Sequence, residues 1–186
     1  MAATTGHSAA PRIVPFVDVA VSARQQAEID AIFFAASATQ SFARDTARAA
    51  FRERWLGRYF SLFPQDGWLA LDAEDGVLGY LVSAREDPAR DPAFADIGYF
   101  ADLADVTPLY PAHLHINLAA SARSRGIGAR LVEAFVSRLR AEGVLGVHVV
   151  TGAGSRNRSF YARLGFEVVR EFDWKGAAIV MLGRKM

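Results

Sequence analysis

Apolar and polar positions follow two rhythms along the chain, and these predict its elements. Val14–Val21 (VPFVDVAV) is apolar and β-branched, which predicts a first strand with Pro15 near its start. Ser22-Ala-Arg-Gln25 has the form of a capping box, so a helix is predicted over about 23–37. A second helix is predicted over about 42–63, where Phe51, Trp55 and Tyr59 recur every fourth residue and share one face. Pro64–Gly67 reads as a turn. Strands over 68–72 and 77–84 follow, joined as a hairpin by Ala73-Glu-Asp-Gly76.

The stretch 85–111 carries Pro88, Pro92, Pro108 and Pro111 and reads as irregular, a length of connection that is usually functional or mobile. Ala112–Leu118 (AHLHINL) reads as a strand. Ile127, Leu131, Phe135 and Leu139 set a helix over about 126–142, closed by Gly143. A strand over 144–151, a short helix over 157–164 ending at Gly165, and an antiparallel pair over 166–172 and 177–182 complete the chain. The order β-α-α-β-β-loop-β-α-β-α-β-β predicts an α/β fold: a mixed sheet with helices on both faces.

Composition narrows the class. The chain has 186 residues, 52% apolar and 11% aromatic, enough for a core and too apolar for a disordered protein. Its length predicts one domain over 12–186, behind a disordered tail over 1–11 that has no hydrophobic signal core. There is no cysteine, which excludes a disulfide scaffold, a thiol nucleophile and a Cys-type zinc site, and which fits the cytoplasm. Lys and Arg total 21 against 20 Asp and Glu, without the basic excess of a nucleic-acid binder. No apolar run is long enough to span a bilayer, so no membrane partner is expected.

The most informative segment is Arg123-Ser-Arg-Gly126-Ile-Gly128, between an apolar strand and an amphipathic helix. Glycines there let a ligand approach the backbone, and the helix start offers unpaired N–H groups to phosphate. Arg123, Arg125 and Arg130 add matching charge. The Rossmann fingerprint fails, because Leu131 stands at the third glycine position and no acid follows the next strand. The P-loop Gly-Lys-Ser/Thr is absent. A tight strand-to-helix turn without a ligand is the plain alternative.

The R-x-x-G-x-G pattern resembles the acyl-CoA pyrophosphate loop of the GCN5-related N-acetyltransferases (GNAT). Asn157-Arg-Ser-Phe-Tyr161-Ala-Arg-Leu-Gly165-Phe166 resembles the segment of the same superfamily in which an asparagine precedes Y-x-x-L-G-F, and the two motifs stand in the expected order. Tyr110–Asn117 and the MLGRKM ending are similar to the subset related to the acetyltransferase-like C-terminal domain of O-GlcNAcase. The resemblance implies a mostly antiparallel sheet of about six or seven strands. It also implies acetyl-CoA as co-substrate and direct transfer to a primary amine in a ternary complex. A small-molecule or protein amine is the implied acceptor, and a homodimer is compatible.

The resemblance assigns the pyrophosphate to Arg123, Arg125, Gly126, Ile127, Gly128 and Ala129. The main chain of Ile116, Asn117, Leu118 and Ala119 would run beside the pantetheine, with an N–H near Leu118 polarising the carbonyl. Tyr161 matches the tyrosine that protonates the leaving thiolate, and Asn157 the asparagine that contacts the cofactor. His113, His115 and Asn117 alternate along their strand and share a face. Either histidine fits a general base, and either fits a half-buried structural role. His148, between Val147 and Val149, fits a site neighbour or core. The H-x-H pair lacks further ligands at metal spacing, so no metal is expected. The acids of 85–111 fit attraction of a cationic acceptor or simple turns, and the second-helix aromatics fit a pocket wall or plain core. A catalytically silent CoA-binding or interaction module is the alternative class.

Overall fold

Ser22 starts the first helix as its capping box predicts. The Ser22 hydroxyl accepts from the Gln25 N–H, and the Gln25 side chain accepts from the Ser22 N–H at 2.9 Å. Gln25 also donates to the Asp75 carbonyl, and the Glu28 carboxylate accepts from the Val77 N–H. The cap therefore ties the helix to a hairpin fifty residues on, as well as satisfying its own first turn.

The computed structural model describes residues 10–186, so of the expected tail only Ala10 and Pro11 fall within it. The elements are β1 (Arg12–Pro15), α1 (Ala23–Ala36), α2 (Asp45–Arg52), α3 (Arg58–Leu62), β2 (Trp68–Leu71), β3 (Val77–Ala84) and α4 (Tyr99–Asp102). There follow β4 (Ala112–Leu118), α5 (Ile127–Ala141), β5 (Gly146–Gly152), α6 (Asn157–Ala162), β6 (Glu167–Trp174) and β7 (Ala177–Lys185). The strands form one seven-stranded sheet in the order β1-β2-β3-β4-β5-β7-β6. Its β1–β2, β2–β3, β5–β7 and β6–β7 pairs are antiparallel and its β4–β5 pair is parallel. The mixed, mostly antiparallel α/β sheet is the one the sequence predicts.

The chain packs as two compact units. The first runs to Leu81 and resumes over Ile116–Leu131; the second comprises Val82–His115 and Val132–Met186. In the first unit Ile29, Leu56, Tyr59, Leu69 and Tyr80 are fully buried. In the second, Phe94, Leu103, Leu114, Phe135 and Val147 are. Each such side chain contributes roughly 1.5–3 kcal/mol through removal from water.

Three expectations need correction. The first strand ends at Pro15, and the Phe16 N–H still bonds across to the Gly67 carbonyl at 2.9 Å. Phe16–Asp18 instead turn as a 3-10 segment, with the Phe16 ring stacked on Phe60 at 4.1 Å. The second helix begins at Asp45, and Phe42 stays outside it to pack against Phe34 and Phe51. A π-helical turn over Glu53–Gly57 then inserts a residue, so Leu56 takes the buried place that the four-residue spacing gives to Trp55.

The third correction concerns 85–111, which is a packed layer with short helical turns rather than an irregular loop. Phe94, Ile97, Tyr99, Phe100 and Leu103 are all buried. Its acids close turns: Asp87 accepts from the Ala89 N–H and Asp91 from the Ala93 N–H. Asp105 grips Arg170 through both oxygens, at 2.7 and 2.6 Å, and the guanidinium lowers its pKa. No helix among the described residues is long and apolar enough to cross a membrane.

Replacing Ser22 by Ala removes the reciprocal cap. Urea unfolding should show a loss of about 1 kcal/mol at constant m-value.

Candidate functional site

In the first unit, β4 runs into the glycine turn. The Ala119 N–H donates to the Leu78 carbonyl at 2.9 Å, and Ala120–Ala122 form a single 3-10 turn. Ser124 and Gly126 then take left-handed backbone angles, φ 58° and 74°. Glycine carries that angle without cost, whereas Ser124 is strained by it. The Arg130 N–H bonds the Gly126 carbonyl, the first such bond of α5. The N–H groups of Ile127, Gly128 and Ala129 therefore precede any acceptor within the helix.

Ile127 and Leu131 are buried and anchor this turn from below. Arg123, Arg125 and Arg130 are exposed, and none of their guanidinium groups makes a hydrogen bond or ion pair with the described residues. A Cβ at Gly126 would meet nothing within 4 Å, so the space over the turn is open. Free N–H groups, the positive end of a helix and three unpaired guanidiniums make an anion cradle. This fits the pyrophosphate of a CoA.

The end of β4 is shaped by β3. A Cβ at Gly79 would lie 2.3 Å from Leu118 Cδ2 and 2.8 Å from the Asn117 carbonyl oxygen, so only glycine fits. The Asn117 side-chain amide donates to the Tyr80 hydroxyl at 2.8 Å. Successive N–H groups of a strand point to opposite edges. Because the Ala119 N–H faces β3, the Leu118 N–H faces the other edge. The parallel ladder of β4 with β5 pairs only Ala112 with Val147 and His113 with His148.

In the second unit, His113 is 2% exposed and lies edge-on to Phe94 at 4.6 Å and to Phe100 at 5.3 Å. His148 is fully buried, with its ring nearly parallel to that of His113 at 5.7 Å. Its Nδ1 lies 2.6 Å from the Tyr110 carbonyl oxygen. A carbonyl only accepts, so Nδ1 carries the proton and Nε2 keeps a lone pair. Nε2 has no hydrogen-bond partner among the described residues. Burial pushes His148 down to about 4, against the Tyr110 carbonyl and Asp87, which act upward. His115 is half-buried and is pushed to about 4 by burial and by His148. Both are neutral at pH 7.

Tyr161 on α6 is buried between Phe160 and Phe166, with centroids at 5.0 and 5.3 Å. Its hydroxyl makes no hydrogen bond to the described residues, and burial raises its pKa. Its carbonyl accepts from the Leu164 and Phe166 N–H groups, which closes the turn through left-handed Gly165. Asn157, the first residue of α6, is exposed.

The expected site residues thus form local groups. Ile116–Ala119 and Arg123–Ala129 stand in sequence in the first unit; His113, His115 and His148 cluster in the second, which also carries Asn157 and Tyr161. His148 is both a neighbour of His113 and core. A cavity of about 520 Å³ lined by Arg12, Arg24, Gln25 and Asp75 includes none of the expected residues. Sequence reasoning missed Gly79, Tyr80 and Tyr110. A lone glycine inside the strand over 77–84 was the available signal for a close backbone approach. Nothing local marks Tyr110, whose ring lies where a Cβ on Gly183 would come within 2.7 Å.

A family model described as an acetyltransferase (GNAT) domain matches residues 65–168, more than half of the chain, and the chain belongs to that family. The structure is similar to that of SsHAT, with 23% identity, a TM-score of 0.69, and coverage of 94% of this chain and 98% of that one. It is similar to a GNAT superfamily phosphinothricin acetyltransferase from Sinorhizobium meliloti solved in complex with AcCoA, at 18% identity, TM-score 0.60, and coverage of 95% and 88%. It is also similar to Chaetomium thermophilum Naa20 in complex with a bisubstrate analogue, at 18% identity, TM-score 0.60, and coverage of 95% and 86%. At these identities the likeness is one of fold.

The histidine pair gives stability a pH dependence. A histidine held near 4 when folded and near 6.5 when unfolded stabilises fully above 6.5, and that stability is lost as pH falls toward 4. His148→Asn keeps a donor for Tyr110 but does not titrate. Unfolding curves between pH 6.5 and 4.5 should show a slope shallower by up to about 1.4 kcal/mol per pH unit. An unchanged slope would remove His148 as the source.

Proposed function

We propose that the chain is an acetyl-CoA-dependent N-acetyltransferase, with 12–186 as one catalytic domain. It passes the acetyl group directly to a primary amine, on a small molecule or a protein, in a ternary complex. The observation that carries this reading is the cradle at Arg123–Ala129, with its left-handed Gly126 and unpaired arginines at the start of α5. The AcCoA complex of the Sinorhizobium meliloti neighbour and the bisubstrate complex of Naa20 support it.

When bound, acetyl-CoA supplies an acetyl group activated as a thioester. Arg123, Arg125 and the N–H groups of Gly126–Ala129 grip the pyrophosphate, and Asn157 adds a polar contact. The main chain of Ile116–Ala119 lines the pantetheine arm. The Leu118 N–H, facing away from β3, hydrogen-bonds the carbonyl oxygen and takes up its growing negative charge. His115 accepts a proton from the amine. It suits this better than His113, which Phe94 and Phe100 seal in, and burial keeps it neutral at working pH. Tyr161 gives its hydroxyl proton to the leaving sulfur; its raised pKa keeps that proton in place at neutral pH.

Calorimetric titration should give micromolar binding of acetyl-CoA to the wild type and none to Gly128→Glu, whose charge and bulk would occupy the cradle. Binding to neither, with both folded, would end the cofactor reading. Binding without turnover over a broad amine panel would favour a silent CoA-binding module.

Tyr161→Phe should lower kcat by about tenfold or more while acetyl-CoA affinity changes less than about twofold. Equal loss in both would assign the hydroxyl to binding and not to proton transfer.

A further inference from the structure

The hydroxyl of Tyr80 stands out among the buried polar groups, because packing does not require it. Tyr80 is fully buried on β3, with its ring 6.2 Å from that of Phe60. A phenylalanine would fill the same volume. Burying a hydroxyl is unfavourable unless it is hydrogen-bonded, and the bond that satisfies this one is the 2.8 Å contact from the Asn117 amide. Among the described residues, this is also the hydrogen bond that fixes the Asn117 side chain.

Three consecutive residues of β3 each constrain one residue at the end of β4. The Leu78 carbonyl accepts from the Ala119 N–H at 2.9 Å. Gly79, lacking a Cβ, admits Leu118, whose Cα would lie 3.2 Å from such an atom. Tyr80 holds Asn117. The contacts step in opposite directions along the two strands, so together they set the depth, the lateral position and the twist of Asn117–Ala119. Such a clamp is needed there. The β4–β5 ladder pairs residues only as far as His113, so the last five residues of β4 lack that ladder. A strand end bonded on one edge frays unless side chains restrain it.

We propose that Tyr80 is a positioning residue for acetyl transfer: through Asn117 it holds the main chain so that the Leu118 N–H meets the acetyl carbonyl oxygen. This rests on the functional reading above. A hydrogen-bond donor stabilises developing charge only if it is already in place, and a shift of about 1 Å can lower the rate about a hundredfold. Tyr80 itself touches neither the thioester nor the amine. Asp30 and Arg52, paired at 2.8 Å, act on the Tyr80 hydroxyl through their charges and make this corner of the first unit polar.

The test reads the carbonyl directly and needs no acceptor. Difference infrared spectra of carbonyl-13C-labelled acetyl-CoA bound to the full chain report the polarisation of its C=O bond. The wild type should lower the carbonyl frequency relative to the free thioester. Tyr80→Phe should lose about half of that shift or more, while the acetyl-CoA Kd changes less than about threefold and Tm falls by only a few degrees. With any amine found to react, kcat should fall about tenfold at nearly constant KM for acetyl-CoA. Asn117→Leu removes the same bond from its other end and should give the same spectrum, which keeps the test open if Tyr80→Phe does not fold. The double variant should lose no more of the shift than either single one.

A full wild-type shift in Tyr80→Phe, or a loss in which shift, Kd and Tm collapse together, would overturn the positioning role. A wild type that binds no acetyl-CoA at millimolar concentration would overturn the functional reading, and the inference with it. A wild type that binds and polarises beside an unaffected Tyr80→Phe would overturn the inference alone.

Discussion

The close approach of Leu118 to Gly79 is the constraint on which the end of β4 and the turn after it depend. With no Cβ on Gly79, β4 lies so near β3 that its last N–H toward that side, at Ala119, reaches the Leu78 carbonyl. That bond fixes the orientation of the preceding N–H, at Leu118, toward the opposite edge. It also fixes where the chain leaves the sheet, and so where the turn at Arg123–Gly126 begins. A larger residue at 79 would move all of these together. Strand depth is thus a property of one missing methyl group rather than of the ladder as a whole.

The second unit is organised around a different problem: two imidazoles inside the sheet. His113 and His148 are register partners on adjacent parallel strands, which brings their rings together. Phe94 and Phe100, from the segment before β4, cover them edge-on. The Tyr110 carbonyl accepts a hydrogen bond from the Nδ1–H of His148, and the Tyr110 ring occupies the space left by Gly146 and Gly183. The long proline-rich segment is therefore the lid of a buried polar cluster, and its aromatics are spent on that task. His115, one pleat further along the same face, is only half-buried, which sets it apart from the two histidines built into the core.

Much of this was legible in the residues. The capping box at Ser22, the strand at Ala112–Leu118, the left-handed glycines at 126, 143 and 165, and the hairpins follow from short-range rules of backbone geometry. The two motifs that mark the GNAT family are of the same local kind, a turn and a short helix. What went astray depended on partners far along the chain. Phe16 left the strand pattern for a ring 44 residues away, Phe42 stayed out of a helix to join a cluster, and the π-helical turn moved Leu56 into the place expected for Trp55. Asp87 and Asp91 accept within their own turns, one of the two roles the sequence offered, whereas the pairing of Asp105 with Arg170 is revealed only by the packing of that segment.

By itself, the sequence determined where the chain turns and which helix start is left electropositive. Those features arise from a glycine's permitted angles, a proline's missing N–H and charges within a few residues of one another. It also determined that His113, His115 and Asn117 share a face, because a strand alternates. The tertiary structure decided which of them is sealed, which is half-open and which is tied to Tyr80. Strand register and the packing of remote aromatics set those outcomes, and each couples residues whose separation along the chain carries no local signal. A hydroxyl on β3 and an amide on β4 meet only once the sheet has chosen its alignment.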